Sequence, residues 1–311
     1  MPDPPDYGTG IATQANHRAI YSPTMLDERT GRGRSMALLL AFLGGFLLPA
    51  SVEAQDPEPS SPWEVEFESS LRYMWGGIYY GFLQTPSGGE PASSTTTRPT
   101  LEELGIDTIS ATDVSLDFRL GDHLFTLGAQ IIRAESNATL KQDLTSQAVF
   151  YPANTRVEAD LELDWFRFGY GYRFDIPLEE AGEHRLLVTP SFEIVTWTFH
   201  YILEGDGGLK SDREYMKQGF RLGTGLEWVT GSRFSLACDV QLPIMSHGTV
   251  NIFDASLTAR YRLWGERTGS GGSIEVGIGY TSLEYQDRQE MPNHIKVVMG
   301  PLLVGGIDLR F

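Results

Sequence analysis

A two-residue alternation of apolar and polar side chains dominates the chain from Trp63 to Phe311. Between Glu64 and Trp75, the odd-numbered positions are mainly apolar or aromatic, and most even-numbered positions are charged or polar. Successive side chains of a β-strand point to opposite faces, so a period of two predicts strands with one apolar face. No sustained period of 3.6 residues competes with it. The sequence therefore predicts an all-β fold.

The alternation divides into about ten segments, which we assign as strands. Their predicted bounds are 63–84, 112–120, 123–135, 156–176, 185–204, 218–230, 233–245, 250–264, 273–287 and 295–311. Two kinds of connection alternate along the chain. Short turns lie at 121–122, 177–184, 231–232 and 265–272. The connections between them are long at 85–111, 136–155 and 205–217 and shorter at 246–249 and 288–294. An even number of strands with short turns at one end and longer loops at the other is typical of an antiparallel transmembrane β-barrel.

Two of the segments change phase. In the fourth, apolar residues occupy odd positions from Val157 to Trp165 and even positions from Phe166 onward. A β-bulge near Trp165-Phe166 would keep one apolar face through both parts. The fifth segment shows a similar slip near Ile194-Val195. Both segments are also long, so we expect them to project beyond a membrane.

An uncharged apolar run, Ala37–Leu48, lies upstream of the alternating region. A transmembrane helix needs about 20 such residues, so this run is too short to be one. Three arginines precede it, and the small residues Val52 and Ala54 follow it. A positive flank, an apolar centre and a small-x-small exit predict a secretory signal peptide that is cleaved before Gln55.

These features give four predicted parts of the chain. Met25 is the preferred true start, which makes 1–24 a disordered lead or a mis-assigned start. The signal peptide then covers 25–54, a short linker covers 55–62, and the barrel covers 63–311.

The last strand keeps its alternation to the final residue, since charged and apolar residues alternate through 307–311 and the chain ends at Phe311. This ending resembles the C-terminal strand of Gram-negative outer-membrane β-barrels, in which a terminal Phe serves as an assembly signal. The resemblance covers Trp63 to Phe311. It implies a location in the cell outer membrane, contact with membrane lipid and lipopolysaccharide, and insertion by the barrel-assembly machinery through the C-terminal strand. The oligomeric state stays open.

A soluble β-sandwich also alternates with a period of two, because its apolar faces pack on a second sheet. It would not account for the signal peptide, the loop asymmetry and the terminal Phe together. Aromatic residues towards the segment ends also suit interfacial girdles of a membrane barrel. They are Trp63, Tyr73, Trp75, Tyr79, Tyr80, Trp165, Trp197, Tyr201, Trp228, Tyr261 and Trp264.

The overall charge of −17 and the isoelectric point of about 4.7 argue against nucleic acid as a partner, because phosphate binding needs clustered Lys and Arg. The mean hydropathy of −0.20 fits a barrel in which only alternate residues face lipid. The single cysteine, Cys238, excludes an intramolecular disulfide. It lies on an apolar face, where packing or lipid contact is expected.

We assign the charged face of the strands to the barrel lumen. The predicted lumen charge network comprises Glu64, Glu66, Glu68, Arg72, Asp113, Asp117, Arg119, Glu158, Asp160, Glu162, Asp164, Arg260, Arg262, Asp308 and Arg310. The same face carries Arg167, Arg173, Glu193, Arg221, Glu227, Asp239, Asp254 and Glu275. These charges must pair in a narrow barrel, because an unpaired buried charge is costly, and the fork of Arg suits carboxylates. The lumen is then either a packed salt-bridge network or a narrow acidic pore that favours cations.

His200 is the candidate catalytic residue. Alternation places Thr196, Thr198 and His200 on the inward face, near the outer end of the fifth strand. A general base needs a positioned partner within hydrogen-bond reach. The candidate partners are Glu193, Glu204 and Asp206.

Some small outer-membrane barrels are enzymes, such as omptin proteases and lipid A deacylases or palmitoyltransferases, which use His with Asp, Glu or Ser near the outer rim. The Asp-x-His pair of omptins is absent from this sequence, as are a Gly-x-Ser-x-Gly elbow, a His-Glu-x-x-His motif and a phosphate loop. The sequence thus predicts neither cofactor nor metal. It favours a structural barrel or a narrow pore for small polar solutes, with a hydrolase or acyltransferase near His200 as the alternative.

The first long connection contains Thr100-Leu101-Glu102-Glu103-Leu104, which matches a capping box at the start of a short helix. Such a helix would either lie over the mouth of the barrel as a plug or cover its rim.

Overall fold

The computed structural model describes residues 65–85, 98–179, 184–231, 233–246, 248–265, 270–289 and 292–311. The chain divides into two units, 1–59 and 60–311, and every described residue belongs to the second. The predicted lead, signal peptide and linker, and the lumen residue Glu64, lie outside the described residues.

The described residues are mostly β-strand, as the period of two predicts. The strands are β1 (Val65–Gln84), β2 (Thr108–Leu120), β3 (His123–Thr139), β4 (Leu144–Ser146), β5 (Val149–Tyr151), β6 (Arg156–Tyr172), β7 (Phe174–Pro177), β8 (His184–Gly205), β9 (Leu209–Thr230), β10 (Phe234–Pro243), β11 (Val250–Gly265), β12 (Gly271–Gln286) and β13 (His294–Arg310). In the described part of the chain, no helix is long and apolar enough to cross a membrane.

The strands close into one antiparallel barrel. Neighbours along the chain pair with each other, and β1 pairs with β13 on its other side, so that the two ends of the sheet meet. The β4–β5 hairpin stands apart from this sheet. Because β7 continues the line of β6 beyond Arg173 and both pair with β8, the barrel has ten strands. The prediction of about ten strands is confirmed.

The barrel is much taller than a membrane in the region of β8 and β9. Each of these strands has 22 residues, whereas about 9–11 suffice for a transmembrane strand. The loop predicted at 205–217 is wrong, because β9 begins at Leu209 and only the 3-10 turn Asp206–Gly208 separates the two strands. Gly207 and Gly208 have φ of 79° and 81°, which glycine adopts without strain.

The two predicted irregularities are wrong. Trp165 pairs with Gln130 on β3 and with Trp197 on β8, and the register continues without a shift through Phe166 on both sides. The register of β8 is likewise continuous through Ile194-Val195. The odd positions of β6 therefore face the interior along the whole strand. The phase change in the sequence reflects a change in the composition of the interior. The same set of positions points inward throughout the strand.

The barrel consists of two halves that differ in this composition. In the loop half, which surrounds Trp165 and Trp197 and ends at the β8–β9 turn, the interior is a continuous apolar core. Its buried members include Leu83, Ile132, Leu161, Leu163, Phe199, Tyr201, Leu203, Val250, Ile252, Leu283, Tyr285, Ile295, Val297 and Met299. The outer wall of this half is mainly polar, as in a water-soluble barrel, with exposed apolar exceptions such as Met216.

The turn half, which ends at the turn 121–122 and at Gly231, has the opposite arrangement. Its outer wall is apolar, and the exposed side chains include Phe67, Leu71, Phe166, Phe168, Leu222, Leu257, Ile274, Ile278, Leu303 and Ile307. Its interior is charged. An apolar outer band around a polar lumen is the arrangement of a transmembrane barrel.

The aromatic residues divide between the two halves. Trp165, Trp197 and Tyr201 are fully buried in the core, so their prediction as girdle residues is wrong. The other predicted girdle residues that the structure describes are exposed or half-exposed on the outer wall: Tyr73, Trp75, Tyr79, Tyr80, Trp228, Tyr261 and Trp264.

Candidate functional site: a charged lumen closed by an apolar core

The most buried ion pairs of the turn half join β6 to β2 and β9 to β8. Arg167 donates from Nη1 and Nη2 to the two carboxylate oxygens of Asp113, at 2.5 and 2.9 Å. Arg221 donates from Nε to Oε2 of Glu193 at 3.0 Å and from Nη1 to Asp254. Two parallel bonds from one guanidinium give strong and geometrically specific pairs. These side chains therefore tie strands together from inside the barrel.

A second cluster centres on Glu275, whose carboxylate is fully buried. One of its oxygens accepts from Nε of Arg72, and the other accepts from Nε of Arg260 at 3.1 Å. Arg260 also lies 3.8 Å from Oδ2 of Asp308 and 3.8 Å from Oε2 of Glu227. This one guanidinium thus contacts three carboxylates, which β9, β12 and β13 supply.

Two further pairs lie close to the turns. Arg119 donates from Nη1 to Oε2 of Glu66 at 2.5 Å, and Arg310 donates from Nη2 to Oε2 of Glu68 at 3.2 Å. Asp117 accepts from the hydroxyl of Thr126 at 2.6 Å. The structure thus brings together the predicted lumen residues Glu66, Glu68, Arg72, Asp113, Asp117, Arg119, Arg260, Asp308 and Arg310, and Arg262 lines a small cavity beside them.

Four predicted lumen residues lie elsewhere. Glu158, Asp160, Glu162 and Asp164 occupy the even positions of β6 and point to the outer wall of the loop half, so their assignment to the lumen is wrong. The alternate positions carry the apolar residues of the core. Carboxylates there would be buried in an apolar interior, whereas on the outer wall they are hydrated.

His200 lies on the same outer wall, not in the lumen, and Thr196 and Thr198 point outward with it. Its Nδ1 is 3.5 Å from Oε2 of Glu162, and its Nε2 is 3.2 Å from Oδ1 of Asp212. The prediction of its partners is wrong. Glu193 faces the lumen and binds Arg221, Glu204 pairs with Lys210, and neither ring nitrogen of His200 contacts Asp206. No sequence signal pointed to Asp212, since this residue lay in a segment predicted as loop.

The carboxylates beside His200 continue into a small network on the wall. Arg133 of β3 donates from Nη2 to Oδ2 of Asp164 at 3.0 Å, and its Nε lies 3.3 Å from Oε1 of Glu162. His200 thus belongs to a partly exposed network of ion pairs. Among the described residues, no group of three or more His, Cys, Asp or Glu side chains is placed to hold a metal ion.

The apolar core of the loop half lies above the charges and fills the interior of the barrel there. Trp197 on β8 contacts Phe199, Tyr215 on β9 and Tyr285 on β12, with ring centroids 5.7 Å apart in each case. Tyr285 and Tyr215 are 5.5 Å apart. Since β10 and β11 separate β9 from β12 in the sheet, these rings meet across the interior of the barrel.

Two connecting segments add side chains to this core. The capping box forms as predicted: the Thr100 amide donates to Glu103 Oε2 at 2.9 Å, and the Glu103 amide donates to Thr100 Oγ1 at 3.2 Å. The residues that follow form hydrogen-bonded turns, not the predicted helix, and they bury Leu101, Leu104 and Ile106. The segment therefore fills the loop half from inside.

The other segment is the β4–β5 hairpin, which buries Tyr151 completely. The Tyr151 hydroxyl donates to the carbonyl of Leu203 at 2.9 Å and is 2.8 Å from the hydroxyl of Ser211. Burial raises the pKa of the Tyr151 phenol, so it stays protonated and can donate. The hairpin is thereby tied to both β8 and β9.

A polar cavity of about 260 Å³ remains in the turn half, between the ion pairs. Its lining begins at Met74 and Leu302, next to the apolar core, and continues to Arg119 and Arg173 near the turns. A water molecule takes up about 30 Å³ in the liquid, so the cavity has room for several. A smaller cavity of about 70 Å³ lies beside Arg233 at the same end.

The C-terminal residue completes the closure of the barrel. The amide of Phe311 donates to the carbonyl of Phe67 at 2.9 Å, and the amide of Phe67 donates to the carbonyl of Phe311 at 3.3 Å. The Phe311 ring is exposed on the outer wall, 57 % of its surface being accessible.

A closed antiparallel barrel with an apolar outer band and a charged lumen is the fold of an outer-membrane β-barrel. No family model and no curated protein matches the chain. Several solved barrels resemble it at low identity. The outer membrane protease OmpT from Escherichia coli is 11% identical with a TM-score of 0.36, and the match covers 79% of this chain and 96% of OmpT.

The translocator domain of the autotransporter NalP from Neisseria meningitidis is also 11% identical, with a TM-score of 0.38 and coverage of 92% of this chain and 98% of that domain. Neisserial surface protein A is 12% identical with a TM-score of 0.30, and the match covers 79% and 97% of the two chains. Similarity at this level carries no argument about what this chain does.

Proposed function

We propose that this chain is a structural, non-conducting barrel of the cell outer membrane. The turn half anchors it in lipid, and the loop half carries a rigid, hydrated body beyond the membrane surface. The single observation behind this proposal is the contact of Trp197 with Tyr285 across the interior. A packed aromatic core at one level of the barrel blocks the path of solutes, whatever charges line the lumen below it.

Conductance across a planar bilayer tests the proposal. Residues 55–311, refolded and inserted, are expected to give no stepwise currents, while an open porin inserted under the same conditions serves as the positive control. Stepwise currents with selectivity for cations over anions would contradict the proposal and support the narrow acidic pore. Correct folding is checked independently, by the strand signal in circular dichroism.

The proposed orientation rests on the connections, because transmembrane barrels have short periplasmic turns and longer outer loops. The short turns face the periplasm and the loop half faces outward, in contact with lipid and lipopolysaccharide at its base. In a Cys238→Ala background, a cysteine at the exposed loop-side position Lys141 should react with an impermeant maleimide on intact cells, and one at the exposed turn residue Asp122 should not. The opposite pattern would overturn this orientation. Labelling at neither position, in cells that contain the folded protein, would argue against an outer-membrane location.

The barrel-assembly machinery is the expected partner during insertion, through β13 and Phe311. Deletion of Phe311 is expected to lower the amount of folded protein in the outer membrane of cells. Removal of the exposed residue Gln289, in the connection between β12 and β13, serves as the control deletion. Equal amounts of folded protein after either deletion would contradict the assembly role.

The alternative, a hydrolase or acyltransferase at the outer rim, requires His200 to act as a base. Its position between Glu162 and Asp212 supports a wall residue in an ion-pair network, since both ring nitrogens have carboxylate partners. The chemical structure of lipid A and the extent of test-peptide cleavage should be the same in three kinds of cells: those with the wild-type protein, those with a His200→Ala variant and those without the protein. A modification that depends on the protein and disappears in His200→Ala would establish the enzyme instead.

A further inference from the structure

The cavity of the turn half contains an arginine that has no carboxylate of the described residues within ion-pair distance. Arg173 lies between β6 and β7, and its backbone amide donates to the carbonyl of Asp122 in the first turn, at 2.8 Å. Its side chain lines the cavity. Among the residues that the structure describes, none forms an ion pair or hydrogen bond with its guanidinium, and its buried Nε has no acceptor.

A second arginine lies beside it and is only partly satisfied. Arg119 donates to Glu66 through Nη1, but its Nε is buried without an acceptor among the described residues. Arg119 is on β2 and pairs in register with Leu124 on β3, which in turn lies next to Gly171 on β6. Arg173 follows two residues after Gly171, so the two arginines are two strand spacings apart across the wall and two residues apart along it, roughly 12 Å in all, a distance that two long side chains can bridge.

The surrounding charges compensate Arg173 only in part. Arg119 and Arg310 repel Arg173, whereas Glu227 and Glu68 attract it from beyond ion-pair distance. Glu68 and Glu227 already lie near Arg310 and Arg260. Two guanidinium groups with unused N–H donors thus face one cavity. A group that carries negative oxygens is what such donors bind, through short charge-assisted hydrogen bonds.

We propose that Arg173 and Arg119 form a binding site for a small oxyanion, the carboxylate or phosphate group of a solute that enters the lumen from the turn end. The apolar core blocks entry from the loop half. The cavity of about 260 Å³ limits the solute to a small molecule or to the end of a longer one. The direction of entry rests on the proposed non-conducting barrel, whereas the anion site itself does not.

The test uses the refolded protein in zwitterionic detergent and isothermal titration calorimetry with inorganic phosphate and with acetate, at constant ionic strength set by sodium chloride. Saturable binding of at least one of the two anions is expected. A stronger response to phosphate would identify a phosphate group, and a stronger response to acetate would identify a carboxylate. Absence of saturable binding by both anions would overturn the proposal.

The decisive variant is Arg173→Gln, which breaks no ion pair within the described part of the chain and should leave the barrel folded. We expect it to weaken binding at least tenfold, and Arg173→Lys, which keeps the charge but loses the planar fork, to weaken it less. Arg156→Gln is the matched control, because Arg156 is exposed on the loop half, where its Nε donates to Asn137 at 3.1 Å. Equal affinities of wild type and Arg173→Gln would show that the anion binds elsewhere and would overturn the site.

Arg119→Gln alone leaves Glu66 without its partner, so the double variant Arg119→Gln/Glu66→Gln is preferred for the second arginine. It is expected to weaken binding as well. An unchanged affinity in the folded double variant would contradict the role of Arg119 in the site.

Discussion

The rings of Trp197 and Tyr285 lie with their centroids 5.7 Å apart, although β9, β10 and β11 lie between their strands in the sheet. The contact therefore spans the interior of the barrel. Both side chains are almost inaccessible to solvent, at 0% and 1%. The interior of the loop half is thus a packed hydrophobic core, with aromatic pairs in edge-on and stacked arrangements that add to the burial of apolar area.

Replacement of Trp197 by alanine should lower the free energy of unfolding by about 3–5 kcal/mol, because it leaves a large cavity in a packed core. Urea unfolding of the refolded barrel in lipid vesicles measures this. Trp228→Ala is the matched control, since it removes the same side chain from the outer wall, where Trp228 is 46% exposed. Equal losses in the two variants would mean that the core does not close the loop half.

The Arg167–Asp113 pair should contribute strongly to the stability of the turn half. Asp113→Asn leaves a buried guanidinium without its carboxylate, and breaking a buried pair in this way typically costs about 3–5 kcal/mol. Glu204→Gln breaks the exposed pair with Lys210, 3.3 Å apart, and should cost less than about 1 kcal/mol. Unfolding free energies of both variants check this. A loss for Asp113→Asn as small as that of the exposed pair would indicate that water solvates the lumen charges freely.

The register of β8 can be tested at two adjacent positions. In a Cys238→Ala background, a cysteine at His200 should react with an impermeant maleimide, whereas one at Phe199 should not, because Phe199 is fully buried and His200 lies on the hydrated wall. The labelled fraction at each position, measured by mass spectrometry on the folded barrel, shows which of the two side chains is accessible. The reverse pattern would restore the lumen position of His200 that alternation predicts.

The β4–β5 hairpin should contribute to stability through one hydroxyl group. Tyr151→Phe removes the bonds to Leu203 and Ser211 and leaves the ring in place, so we expect a loss of about 1–3 kcal/mol in unfolding free energy. Tyr79→Phe, at a position that is 84% exposed, should change stability by less than about 0.5 kcal/mol. If Tyr151→Phe is equally neutral, the hairpin does not belong to the folded core.

Much of the barrel was predictable, because the information is local. A period of two depends only on the geometry of the extended backbone, and the short turns are marked by residues such as Gly121 and Gly231, whose φ values are positive. Within the turn half, inward charges such as Arg72 and Asp113 lie on the face that alternation predicts. In the turn half, the outer wall faces an apolar environment. The prediction assumed such an environment along the full length of every strand.

The position of the charges in the loop half could not be obtained in this way. Alternation shows that Leu163 and Asp164 lie on opposite faces, but not which of the two faces inward. The phase change at Trp165-Phe166 signalled that something differed, and a bulge was one explanation. The other explanation, a barrel whose interior changes from charged to apolar along its height, depends on where lipid gives way to water outside.

The sequence by itself determined that this chain forms about ten antiparallel strands with one apolar and one polar face, since strand geometry and turn residues act over a few positions. Only the tertiary structure decided which face is inside at each height, that aromatic rings from distant strands meet across the lumen, and that His200 has Glu162 and Asp212 as neighbours. The physical reason is that ring closure brings together residues far apart in the chain, and an apolar face turns towards whichever side excludes water.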